Sequence, residues 1–161
     1  EVDVDRIGAE RDAMLADITQ RCQQAHDLRL TPVVFTSRVE RSFADQATRL
    51  AFGEQVSAFL MDVVRNLPVT LGFLISKGGI TSNDVLSSAL ALRTSRVLGQ
   101  ILPGCSVVRC PADHPRFADL PVVIFPGNVG DEHAVARAYA RLAGLAETPG
   151  NATATRATAV R

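Results

Sequence analysis

A chain of 161 residues, with 47% hydrophobic residues and 17 basic side chains against 17 acidic ones, describes an ordinary α/β or α+β domain large enough for a real core. Zero net charge excludes the basic field that binds nucleic acid, and no stretch reaches the roughly 20 apolar residues of a membrane span. Three cysteines, Cys22, Cys105 and Cys110, are too few and too unpatterned for a disulfide framework and point to a cytoplasmic location.

In chain order, Asp3 to Asp27 predicts a helix, because Ile7, Met14, Leu15, Ile18, Cys22 and Ala25 recur at helical spacing. Leu30 to Thr36 predicts a short strand with Pro32 near its start, followed by a polar loop, Thr36-Ser37-Arg38. Asp45 to Leu67 predicts a long helix with an apolar stripe from Leu50 to Leu67, stopped by Pro68. Val69 to Ile75 then reads as a buried strand. Lys77-Gly78-Gly79 follows as a tight turn, and Thr81-x-x-Asp84 has the form of a capping box for a helix running to about Leu92. Arg93 to Ile101 and Cys105 to Cys110 read as strands joined by the turn signal Pro103-Gly104. Pro111 to Leu120 is a polar loop, and Pro121 to Pro126 a second buried strand. Gly127-Asn128-Val129-Gly130-Asp131 is a second glycine turn, opening a helix from Glu132 to about Leu145.

The expected architecture is α/β, three-layer α/β/α with a mainly parallel or mixed sheet and glycine turns at the C-terminal strand edge. Residues 1–146 form the domain, and 147–161 an expected disordered tail without large apolar residues except Val160. Asn151-Ala152-Thr153 matches a glycosylation acceptor, read as chance because no secretory signal precedes it. The chain opens at Glu1 without an initiator Met, a basic n-region or an h-region, and reads as a piece of a longer protein.

The chemistry concentrates at the two glycine turns. Each follows an apolar strand and opens a helix, so parallel neighbouring strands would bring two helix N-termini to one crevice, a cradle for an anion. The other reading of each turn is a plain βα connection whose glycines serve packing. Lys77 is read either as a phosphate contact or as a solvated strand-end lysine. Asp84 and Asp131 are read as caps first and as water-mediated Mg²⁺ holders second. Neither GxxxxGK[ST] nor GxGxxG occurs. Cys105, Cys110 and His114 do not make a metal site, because residues five apart on a strand face opposite ways. No nucleophile–histidine–carboxylate set stands out, so the catalytic residues are unknown and no metal ligands are named.

The motif Lys77-Gly78-Gly79-Ile80-Thr81-Ser82-Asn83-Asp84 resembles the GG-x-T-S motif of the four-carbon acid sugar kinases, a family formerly of unknown function and also labelled type III effector-like. Val97 to Gly104 resembles the family's following strand and Pro-Gly turn, and Phe125 to Asp131 its last glycine motif. Order and spacing agree over about residues 1–146. Family members are longer, with an N-terminal sugar-acid-binding domain and a C-terminal ATP-binding domain, and this chain looks like the latter. The resemblance implies ATP and Mg²⁺ as cofactors, bound by Gly78, Gly79, Ile80, Thr81 and the facing Gly127, with Ser82 and Asn128 added. It implies phosphorylation of a tetronate such as threonate, erythronate or an oxo-tetronate. The implied partners are ATP or ADP and the N-terminal domain of the same protein, with a homo-oligomer left open. A serine-bearing stretch of the family's nucleotide site and the sugar-acid domain are not in this chain, so the piece alone is expected to be inactive. The alternatives are a non-catalytic module for a nucleotide or anionic metabolite, and an effector-like interaction domain with an exposed apolar patch.

Overall fold

The computed structural model describes residues 1–39 and 41–145. Its elements are α1 (Ile7–Asp27), α2 (Gln46–Arg65), β1 (Leu74–Lys77), α3 (Gly79–Asp84), β2 (Arg96–Leu102), β3 (Cys105–Arg109), β4 (Pro121–Phe125) and α4 (Ala134–Leu142). A π-helical turn, Val85–Ala89, continues α3 directly. Residues Glu1–Val129 form one compact unit, and α4 belongs to a second that starts at Gly130.

The open sheet has the order β1-β4-β3-β2. β1 runs parallel to β4, while β4–β3 and β3–β2 are antiparallel. The four strands and four α-helices of the described residues make a mixed-sheet α/β fold, as the alternating apolar runs predict. β2 and β3 form the expected hairpin. Pro103 supplies the fixed φ of the first turn position, and Gly104 takes φ +79° at the second, as a type II turn requires. β4 lies in the middle of the sheet, and its Val122, Val123 and Phe125 are fully buried.

The core gathers Ile7, Ile18 and Cys22 of α1, Phe59, Met61 and Val63 of α2, Val85 of the π-helical turn, and Val108 and Val122 of the sheet. α2 starts where its sequence says it should. The Asp45 carboxylate accepts the Thr48 N–H at 2.8 Å, which satisfies one of the helix's orphan donors. α1 starts later than predicted, at Ile7, without a side-chain cap, and Glu10 departs from helical angles within its first turn.

Four expectations are corrected. Leu30 to Thr36 is not a strand. Its only ladder contact is a parallel bridge from Thr36 to Val2, with the Val2 N–H on Phe35 O at 2.7 Å. Among the described residues no other strand lies alongside it, and strand-forming sequence without a partner makes no ladder. The strand expected at 69–75 occupies Leu74–Lys77 instead. Residues 69–70 turn after Pro68, and pairing with Val122–Phe125 begins only at Leu74. The third helix is not capped at Thr81; it begins at Gly79, and it continues as a π-helical turn over Val85–Ala89 rather than as an α-helix to Leu92. The fourth begins at Ala134, not Glu132. The tail from 147 and the Asn151 acceptor lie outside the described residues.

Candidate functional site

The parallel pairing of β1 and β4 sets Lys77 opposite Phe125, so the chain leaves both strands at the same edge of the sheet. Gly78 and the Pro126-Gly127 turn therefore lie side by side. The Gly78 N–H donates to Phe125 O at 2.8 Å, and a Cβ placed on Gly127 would stand 3.9 Å from Gly78 Cα. Gly78 has φ +111° and ψ 137°, a conformation open to glycine and hardly to any other residue. That angle turns the backbone straight from the strand into α3.

The first i→i−4 bond of α3 runs from the Ser82 N–H to Gly78 O at 2.8 Å. The N–H groups of Gly79, Ile80 and Thr81 precede it and have no acceptor within the helix. Gly79 is exposed, and a Cβ there would meet nothing within 4 Å. Ile80 is 80% exposed, and Thr81 is half-buried. Gly127 and Asn128 are exposed on the facing turn. Ser82 is different: it is buried, and its hydroxyl donates to Ser76 O at 2.9 Å, tying the helix start back to β1. Its role is to hold the turn's shape. Six of the seven residues singled out from the sequence thus surround one edge of the sheet, and the seventh braces it from inside.

Charge at this edge is simple. From Ser76 to Asp84 and from Phe125 to Val129 the sequence holds one cation, Lys77, and one anion, Asp84. The Lys77 ammonium donates to Pro126 O at 3.3 Å and Gly127 O at 3.2 Å, and lies 4.5 Å from the centre of the Phe125 ring. Asp84 does not close a capping box. It ends α3, and its carboxylate accepts the Ser57 hydroxyl of α2, which fixes α3 against α2. In the second unit the Asp131 carboxylate accepts the His133 N–H at 2.9 Å and pairs with Arg137. Those partners, Arg137 first, hold the Asp131 carboxyl below the usual carboxylate range.

Other residues weighed in the sequence have structural partners. The Ser37 hydroxyl donates to Val2 O and accepts the Val4 N–H, closing the N-terminal segment onto the 36–38 loop. His114 Nε2 lies 2.8 Å from Leu90 O, and its Nδ1 accepts the Arg116 and Phe117 N–H groups; Nε2 therefore carries the proton. This anchors the 111–120 loop to the end of the π-helical turn. Among the described residues no group of three or more His, Cys, Asp or Glu is placed to hold a metal. Burial pushes the Cys22, Cys105 and Cys110 thiols up, away from the reactive thiolate. Two open surface hollows lie elsewhere, at the start of α2 and beside the N-terminal segment. The first is lined by Arg41, Asp45 and Arg49, among others. Arg41 there lies over the Phe52 ring and Asp45 caps α2, so both already have partners.

No curated protein and no solved structure matches the chain at a significant level. The model of the nucleotide-binding C-terminal domain family matches residues 1–135, which takes in α1 through β4 and both glycine turns. With the match spanning most of its length, the chain belongs to this family, the C-terminal domains of the four-carbon acid sugar kinases.

Proposed function

We propose that this chain is the ATP-binding domain of a kinase that phosphorylates a four-carbon sugar acid, holding the nucleotide phosphates at the C-terminal ends of β1 and β4. One observation carries the reading: in a chain of the nucleotide-binding family, the two glycine turns are neighbours on one edge of the sheet. The residues fit a phosphate. Gly79, Ile80 and Thr81 offer N–H groups without intrahelical acceptors, and the two turns approach closely enough that the phosphate would meet backbone rather than side chain. Gly127 and Asn128 would face it from the second turn. Phosphoryl transfer needs positioning and charge neutralisation, and these residues supply part of both. Mg²⁺ would be held chiefly by the phosphates, with few protein ligands, as this ion usually is.

The sugar acid, the tetronate hydroxyl and the base that receives its proton belong in this reading to an N-terminal domain of the same protein. Its support is the apolar strip from Leu28 to Val39, where Leu28, Val33 and Val39 are 71%, 76% and 81% exposed. The same strip favours the second reading, an interaction module without nucleotide affinity. Calorimetric titration with ATP-Mg²⁺ separates the two. Saturable binding, lost when Gly79→Glu puts bulk and negative charge into the turn, is the expected result. Absence of binding by both this chain and the full-length protein would sink the kinase reading.

A further inference from the structure

The chain contains sixteen arginines and a single lysine, and that lysine is Lys77. It sits at the last position of β1, directly before Gly78. Its ammonium carries three N–H donors. Two are used on the carbonyls of Pro126 and Gly127, at 3.3 and 3.2 Å. The ammonium also lies over the Phe125 ring, with Nζ 4.5 Å from its centre. Lysine suits this place and arginine does not. A compact ammonium can sit between two carbonyl oxygens and keep a donor free, whereas a planar guanidinium forks outward.

Two carbonyl oxygens beside an anion site are a liability, because their partial negative charge repels the ligand. A cation bound to both removes that repulsion and adds attraction. We propose, on the footing of the phosphate-binding reading above, that Lys77 is the clamp and charge centre of the site. It locks the Pro126-Gly127 turn beside Gly78 and presents its third N–H to the ligand's phosphates. The consequence is a specificity: the site grades ligands by phosphate charge, and Lys77 sets that grading.

Lys77→Met keeps an unbranched apolar side chain of similar length and removes the charge and its donors. Titration of wild type and variant with ATP, ADP and adenosine reads the grading. ATP affinity is expected to fall about tenfold to a hundredfold, the range of a lost charged hydrogen bond. ADP should fall less, and adenosine within about twofold. Equal losses for ATP and adenosine, or no loss for ATP, would overturn the proposal. Selective acetylation gives a second reading, since Lys77 and the chain's N-terminal amine are the only primary amines. ATP should protect Lys77 while adenosine leaves it open, and protection by both would count against a phosphate contact. The clamp is tested without any nucleotide. Amide hydrogen exchange over residues 126–129 should quicken in Lys77→Met, and unchanged exchange would overturn it. If neither this chain nor the full-length protein binds any of the three ligands, the phosphate reading and the specificity built on it fail, while the exchange result still decides the clamp.

Discussion

Gly78 is the residue on which the site's geometry turns. At φ +111° a side chain would be strained whatever space surrounds it, and its Cβ would also press within 3.4 Å of Thr81 Oγ1. Gly78→Ala is therefore expected to cost about 1–3 kcal/mol in urea unfolding and to weaken nucleotide binding as the turn reshapes. Gly79 is the contrast. A Cβ there meets nothing within 4 Å, so Gly79→Ala should leave stability within about 1 kcal/mol of wild type, while Gly79→Glu is expected to abolish nucleotide binding without unfolding the chain. The thiols make a third case. Buried and pushed up, Cys22, Cys105 and Cys110 should resist a thiol reagent in the native protein and react on unfolding; rapid labelling of the native chain would contradict the burial described.

At the scale of elements, two contacts hold α1 and α2, and α2 in turn fixes α3 through Ser57 and Asp84. Phe59 of α2 is fully buried in the core, and Phe59→Ala should destabilise by about 3–5 kcal/mol, read from the urea midpoint at constant slope. The second contact is ionic. Asp62 of α2 bonds Arg11 of α1 and Arg65 one turn on at 2.6 Å. Arg11 above all holds the Asp62 carboxyl below the usual carboxylate range. A carboxyl lowered by folding stabilises the fold where it is ionised, above its unfolded value near 4. That contribution fades as the pH falls below this value and is gone below the folded one. Wild type should therefore exceed Asp62→Asn in stability at pH 7, and the gap should narrow by pH 3; a gap independent of pH would show that packing, not charge, is at stake. The π-helical turn that follows α3 belongs to this scale too. It sits between the glycine turn and Leu90, and such turns are often found at functional sites.

For the whole molecule, the leading question is what covers the apolar strip from Leu28 to Val39. A partner domain that supplies the sugar acid predicts turnover of a tetronate with ATP by the full-length protein and none by this chain. Deuterium exchange comparing the two should show protection of residues 28–39 in the longer protein. Protection there without nucleotide binding would favour the interaction module instead.

Much of this was legible in the amino-acid sequence. The long helices, the β2–β3 hairpin, β4 and both glycine turns follow from local rules: apolar periodicity, Asp45 as cap, Pro103-Gly104 as turn, glycine where the backbone must bend. The candidate ligand residues were legible for the same reason, since Gly78, Gly79 and Gly127 announce themselves by having no side chain. What local rules could not supply was pairing. Leu30 to Thr36 has the composition of a strand, but a strand exists only beside another, and this one has only the bridge from Thr36 to Val2. Thr81 and Asp84 have the spacing of a capping box, but the angle at Gly78 starts the helix three residues earlier, and Ser57, remote in sequence, takes the Asp84 carboxylate. The adjacency of Gly78 to Gly127, and the placing of Lys77 on the carbonyls of Pro126 and Gly127, join residues some fifty positions apart. Composition and motif determined which groups this protein could use on an anion; the parallel pairing of β1 with β4, a long-range hydrogen-bond ladder that no local pattern encodes, decided that they meet.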